Sequence, residues 1–338
     1  MPQPKLTFFT ELDSERLTEL FNDPSLIKSL QTLEASVSLG ILDLSDARAK
    51  VVRKLNKANI PVIAWLLLPK AEGYWFNTGN HRQAAARYAA FGEWTQAHKL
   101  DWAGVGLDIE MDINEFTGAM DRQRARVLAK TLLQRYRDRQ RAEKARLAYQ
   151  ALVDQIHRDG YLVESYQFPV INEERRARAT VLGRTAGLVD VEADREVLML
   201  YSSFLRPNGD AVLWSYAPET DSVGVGNTGG GVEIEGVIDL PPLTWEEFSR
   251  DLRLCVARQK PIHIFCLEGC VAQGFLPRLL EFDWDEPVAP PAGAVKVRAI
   301  RTGMATGLWL LERPWVILLS LATLIGLGFL FDRSQKKK

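Results

Sequence analysis

The sequence predicts an α/β protein built as a (β/α)8 TIM barrel and followed by a C-terminal transmembrane helix. Three observations predict it. Eight short apolar runs alternate with amphipathic stretches over about 280 residues, the pattern of parallel strands joined by crossover helices. No GxGxxG turn follows the first strand, which disfavours the runner-up, a doubly wound open sheet. The run Pro314 to Phe331, PWVILLSLATLIGLGFLF, holds 18 uncharged residues, roughly 27 Å as a helix and about the thickness of a hydrocarbon core. The expected domains are a barrel over 1–282, a Pro-rich and basic linker over 283–303, and a membrane anchor with a basic tail over 304–338.

The strands read as 6–12, 36–44, 61–69, 103–111, 161–168, 196–204, 211–217 and 262–269. Helices fit between most of them, such as DSERLTELFNDPSLIKSLQTL after the first strand and SDARAKVVRKLNKAN after the second. LTWEEFSRDLRLCVARQ precedes the eighth, opened by a Thr244 cap with Glu247 three residues on. Only LRPNGD separates the sixth run from the seventh, too short for a helical crossover, so one of the two is expected to be a hairpin partner or an extension. The glycine-rich stretch PETDSVGVGNTGGGVEIEG then reads as a surface loop or a flap over the pocket. It is no phosphate loop, because no Lys-Ser or Lys-Thr follows its glycines.

A net charge of −1 and 46% apolar residues describe a globular chain with a large core and no global bias toward nucleic acid. Cys255, Cys266 and Cys270 are too few for a disulfide framework and form no CxxC pair, so reduced structural thiols are expected. The N-terminus carries acids where an export signal would continue its apolar core. At the other end Trp309 and Trp315 are placed for a membrane interface, with Arg313 and the terminal lysines bracketing the span. From Arg122 to Arg146 ten basic residues face two acidic ones; unbroken from Asp121 to Arg158 this helix would be about 57 Å long. It reads as a solvated face or as a contact for anionic lipid over 122–146, and RNA is disfavoured because no exposed aromatics interleave the charges.

In a barrel of this kind chemistry sits at the carboxyl ends of the strands. The polar residues expected there are Glu11, Asp43, Lys70, Asp108, Glu110, Glu164, Tyr166, Tyr201, Tyr216, Glu219 and Glu268. Histidine is absent from that set: His263 opens the eighth strand, and His81, His98 and His157 fall on expected helices. Neither a metal site nor a Ser-His-Asp triad is supported, and no cofactor is expected. Carboxylate chemistry remains. In the fourth strand Val105, Leu107 and Ile109 share one face while Gly104, Gly106, Asp108 and Glu110 share the other, placing two acids roughly 6.6 Å apart. A like charge beside Glu110 favours its protonated form, suited to general-acid work, with Asp108 orienting substrate or stabilising positive charge. Glu164, Glu219 and Glu268 are candidates for a second carboxylate, Tyr166, Tyr201 and Tyr216 for contacts to sugar hydroxyls, and Trp65, Trp75 and Trp214 for stacking or for packing the barrel.

The stretch AGVGLDIE, residues 103–110, resembles the fourth-strand motif of family 18 chitinase-like glycoside hydrolases, Asp-Gly-x-Asp-x-Asp-x-Glu. Its last Asp and its Glu correspond to Asp108 and Glu110, while the first two Asp positions hold Ala103 and Gly106. The Asp-x-Glu element is also similar to that of family 25 muramidases. The resemblance implies a glycoside-hydrolase-like barrel with Glu110 as catalytic acid. The expected function is a membrane-anchored protein cleaving or binding a glycan, its barrel on the cytoplasmic side. The alternative is a noncatalytic carbohydrate-binding or scaffold barrel at the membrane. A barrel lyase or metal-dependent isomerase comes third, and the missing histidines disfavour the metal version.

Overall fold

Eight parallel strands close into a barrel in chain order. The structure, a computed structural model, describes residues 3–115, 122–231, 241–316 and 319, and for 122–129 the backbone alone. The strands are β1 (Leu6–Thr10), β2 (Ser36–Ile41), β3 (Val62–Leu66), β4 (Gly104–Ile109), β5 (Val163–Gln167), β6 (Arg195–Met199), β7 (Ser222–Gly226) and β8 (Ile262–Phe265). Closure comes from β8 returning to β1, with Thr7 opposite His263 and Phe8 opposite Ile264.

The helices in the first half are α1 (Ser14–Asn22), α2 (Pro24–Thr32), α3 (Asp46–Lys57) and α4 (His81–His98). Asp13, Asp23 and Ser45 cap the first three by accepting from free backbone N–H groups. Then come α5 (Arg122–Arg137), α6 (Arg139–Arg158), α7 (Ile171–Ala177), α8 (Val181–Thr185), α9 (Gly209–Tyr216), α10 (Trp245–Ala257), α11 (Leu267–Ala272), α12 (Phe275–Leu280) and α13 (Ala294–Glu312). The capping box expected at Thr244 and Glu247 opens α10. Outward-facing strand residues such as Phe8, Val37, Leu39, Val105, Leu107, Ile109 and Ile264 are fully buried beneath these helices. All three cysteines are free and buried.

The seventh strand of the sequence reading is corrected by the structure. The run 211–217 is the helix α9 rather than a strand, and the seventh strand is SVGVG, which the sequence reading placed inside a glycine-rich loop. A short apolar run carries too little periodicity to separate a buried helix from a strand. The basic stretch, expected to protrude or bend because an unbroken helix would be so long, is interrupted at Asp138, whose carboxylate caps α6 by accepting from Arg141 N at 3.0 Å. Two helices of 16 and 20 residues replace one rod.

The linker expected over 283–303 runs into α13, which packs on the barrel against α7 and α9. Arg301 of α13 is buried at 3% exposure. Its guanidinium donates to Glu173 Oε1 at 2.7 Å, Ser215 O at 2.6 Å and Glu219 Oε2 at 2.7 Å, and lies 3.5 Å over the Tyr216 ring. At the far end of α13, Glu312 pairs with Arg139 and Arg184, and Tyr136 donates to Leu311 O. The start of α6 is therefore fastened to the segment that leads into the apolar run. Among the described residues no helix is long and apolar enough to cross a membrane. Of the expected span, residues 314–316 and 319 are described, and the remainder lies outside the described residues.

Candidate active site

The interior of the barrel is layered. In the lower layer, toward the amino ends of the strands, Glu164 of β5 accepts from Arg195 Nη1 at 2.5 Å and lies 3.0 Å from His263 Nε2. His263 Nδ1 in turn meets Ser222 Oγ at 2.8 Å. Burial works against charge on Glu164, yet His263 and Arg195 outweigh it and pull its carboxyl below the ordinary range. This Ser-His-Glu contact is closed off, each member being 4% exposed or less, and Ser222 Oγ also donates to Pro261 O. It is a structural network.

Above it sits an aromatic layer of Phe9, Trp65 and Tyr166. Tyr166 is 1% exposed, its hydroxyl 2.8 Å from Ser38 Oγ and donating to Glu164 Oε2 at 3.2 Å. A Cβ added at Gly106 would stand 2.4 Å from that hydroxyl and 2.7 Å from the ring. The absence of a side chain at Gly106, where the resembled motif has an acid, thus makes room for Tyr166.

The upper layer carries Asp108. It is 2% exposed and accepts from Trp65 Nε1 at 3.0 Å through Oδ2. Its Oδ1 is buried with no hydrogen-bond partner among the described residues, and the neighbouring Glu110 carboxyl interacts with the Asp108 side chain. Burial pushes Asp108 up to about 7, against the pull of its bonds to Trp65 and Glu110. Glu110 lies well above its ordinary range, first through burial and then through the negative charges of Asp108 and Glu11. Both carboxyls of the pair are therefore shifted toward binding a proton more tightly than isolated carboxyls do.

The loop after β3 fixes this geometry. Phe76 N donates to Asp108 O at 2.9 Å and Glu110 N to Phe76 O at 3.1 Å, so the loop runs beside β4 as a short parallel bridge. The same loop turns through Tyr74, held at φ 63°, an uncommon conformation for a bulky residue. That turn aims the Tyr74 hydroxyl at Glu11 Oε1, 2.5 Å away. Glu11 N donates to Glu268 Oε1 at 3.1 Å, and Glu268 is raised by burial. Tyr201 stacks on Phe265 at the same mouth, its phenol raised well above the usual range by burial and by Asp108.

Of the residues selected from sequence, Asp108, Glu110, Tyr201 and Glu268 thus gather at the carboxyl ends of the strands. Four do not. Glu164 belongs to the lower ion network and Tyr166 to the packed middle layer. Tyr216 and Glu219 lie outside the barrel, where Tyr216 donates to Glu173 at 2.6 Å and Glu219 binds Arg176 and Arg301. Their misplacement follows from taking α9 for a strand. Trp214 lies outside as well, beneath the Arg258 guanidinium. Glu11, which sequence placed at a strand end without a role, and Tyr74, which it did not single out, are the additions. The end of the first strand was a usable signal for Glu11; the backbone turn that aims Tyr74 left none. Among the described residues no cluster of three or more His, Cys, Asp or Glu could hold a metal ion.

No protein-family model matches the chain, and no curated protein does. Solved structures with a similar course of chain include the PgaB (BpsB) glycoside hydrolase domain from Bordetella bronchiseptica, at 10% identity and TM-score 0.48, covering 83% of this chain and 99% of that one. A GH18 chitinase from Pseudoalteromonas aurantia is similar at 10% identity and TM-score 0.44, over 82% of this chain and 100% of the other.

Proposed function

We propose that the barrel acts on a glycan, with Glu110 as general acid and Asp108 as the carboxylate that shares its proton. The observation that carries this reading is the carboxyl pair at the carboxyl end of β4, Asp108 buried and Glu110 half-buried, both raised by their surroundings and with no ion pair to either among the described residues. An acid needed near neutral pH must keep its proton there, and burial beside like charge is how a glutamate does so. Glu11 supplies a second negative charge at the mouth, suited to positive charge developing on a sugar ring. Glu110→Gln keeps the shape of the side chain and removes the proton donor. On a panel of α- and β-linked glycans, turnover by the variant should fall by a factor on the order of 100 or more. Unchanged turnover would place the chemistry elsewhere, and saturable binding without turnover by the unmodified protein would favour the noncatalytic carbohydrate-binding barrel.

We further propose that the barrel is held at a membrane through residues 314–331 and stays on the cytoplasmic side. The uncharged run supports the anchor. The fastening of Tyr136 and Arg139 to the end of α13 supports anionic-lipid contact by the basic helices, because it sets part of their charge beside the point where the run begins. The full chain should fractionate with membranes, and a chain ending at Arg313 should be released. A full chain that stays in solution without detergent would refute the anchor; anionic vesicles that fail to bind the released chain in low salt would refute the lipid contact.

A further inference from the structure

Beside the barrel mouth, the loops after β3 and β4 and the junction of α5 with α6 line a cavity of about 230 Å³, walled mainly by polar groups. Asp112, two residues beyond Glu110, forms part of its wall, so it borders the loop that carries the proposed acid. Its floor is rigid. Asn80 Oδ1 accepts from Asn77 N at 2.8 Å and Tyr149 Oη at 3.1 Å, and Asn80 Nδ2 donates to Glu72 O and Trp75 O.

Two arginines reach the cavity and are treated differently. Arg135 is neutralised by a two-pronged pair with Glu115, one contact at 2.6 Å. Arg141 has no hydrogen bond or ion pair from its guanidinium to any described residue, and its Nη2 stands 3.2 Å from where a Cβ on Gly79 would be. Burial and the charge of Arg135 push Arg141 below its ordinary value, a repulsion that an anion seated beside it would relieve. Across the cavity Thr78 and Gln83 make no side-chain hydrogen bond with described residues, and Asp112, engaged through Oδ1 by Asn114, lines the same wall.

The mixture of these groups decides the ligand. A bare phosphate or sulfate on Arg141 would also face the Asp112 carboxylate and gain nothing from it. Glu115 and Asp138 act on Arg141 through charge alone, and a neutral hexose would leave its half-buried guanidinium without a charge-assisted hydrogen bond. A carboxylate-bearing sugar answers both, with its carboxylate on the guanidinium and its hydroxyls donating to Asp112 and bonding Thr78 and Gln83. The cavity is smaller than the roughly 300–1,000 Å³ of drug-sized pockets, which suits a single ring. We propose that this cavity is a subsite for one uronate-type residue of an acidic glycan, with Arg141 as the residue that selects the carboxylate. This deepens the glycan reading and rests on it for the choice of a sugar, while its test reads binding without turnover.

Glucuronate, glucose and inorganic phosphate are titrated against the full chain in detergent at fixed ionic strength, by calorimetry or ligand-observed NMR. The expected result is saturable glucuronate binding at least about tenfold tighter than either glucose or phosphate. Arg141→Gln should remove that preference, whereas Arg146→Gln, on the same helix and paired outside the cavity with Glu143, and Glu110→Gln should preserve it. Should Arg141→Gln fail to fold, Thr78→Val reads the same site and should weaken glucuronate. Equal affinity for glucose and glucuronate, phosphate bound as tightly as glucuronate, or a preference untouched by Arg141→Gln would each overturn the proposal. A preference lost in Glu110→Gln and kept in Arg141→Gln would overturn it too, by moving the sugar to the mouth and leaving the reading of Glu110 intact.

Discussion

The two ends of this barrel bury carboxylates under opposite terms. At the lower end Glu164 is enclosed with Arg195 and His263, and its carboxyl is pulled below the ordinary range despite burial. At the mouth Asp108 and Glu110 are enclosed with each other and with Glu11 nearby, and both are raised. Burial is common to the two sites, so the neighbour decides the protonation state. The lower network resembles a structural ion pair, satisfied on every side. The mouth keeps a cost within the fold, and sites that retain a cost are where function is sought first.

The contrast breaks most forcefully at Glu164. Glu164→Gln leaves a buried histidine and a half-exposed arginine without their counterion, and should lower stability by about 3 kcal/mol in a denaturant titration. A loss under about 1 kcal/mol would mean that the network is dispensable. The mouth should answer with the opposite sign. Glu110→Gln spares the fold the cost of keeping this carboxyl protonated above its ordinary range and should raise stability at pH 8 by about 1 kcal/mol.

The pH dependence separates the two ends more sharply. A carboxyl raised in the folded state binds its proton more tightly there than in the unfolded chain, so its contribution to stability falls as pH rises between the two values. For Asp108 that window runs from the ordinary 3.8 to about 7. Glu164, lowered in the fold, contributes stability above its ordinary 4.5 that is lost as pH falls below it. Melting temperature should therefore decline from pH 5 to pH 7.5 in the unmodified protein, and less steeply in Asp108→Asn. Equal slopes in the two proteins would remove Asp108 from the account.

Seven of the eight strands were legible because apolar alternation and strand-to-helix order survive in one sequence. The seventh was hidden by its own packing: Gly224 and Gly226 face inward where Tyr201 presses against them, so SVGVG shows little of the apolar pattern of a strand. AVLWSYA had that pattern and folds as α9. The acids of β4 were legible because two carboxylates on one strand face have no packing explanation. Glu11 was legible as a residue at a strand end, but its pairing with Tyr74 was not, since that depends on a loop crossing from β3 and on one left-handed residue. Arg301, buried on a helix in what read as a linker, was equally hidden, as a single arginine in a basic segment carries no mark of burial.

The most direct test of the central claim is the protonation state of the mouth. Carboxyl 13C shifts of Asp108 and Glu110, followed from pH 4 to pH 9 and assigned with Asp108→Asn and Glu110→Gln, report it residue by residue. At pH 7 the pair should still hold at least one proton, resident mainly on Glu110, and in Asp108→Asn the Glu110 carboxyl should titrate at lower pH because a like charge is gone. Two carboxylates both fully ionised by pH 5 would contradict the account, because Glu110 would then have no proton to give.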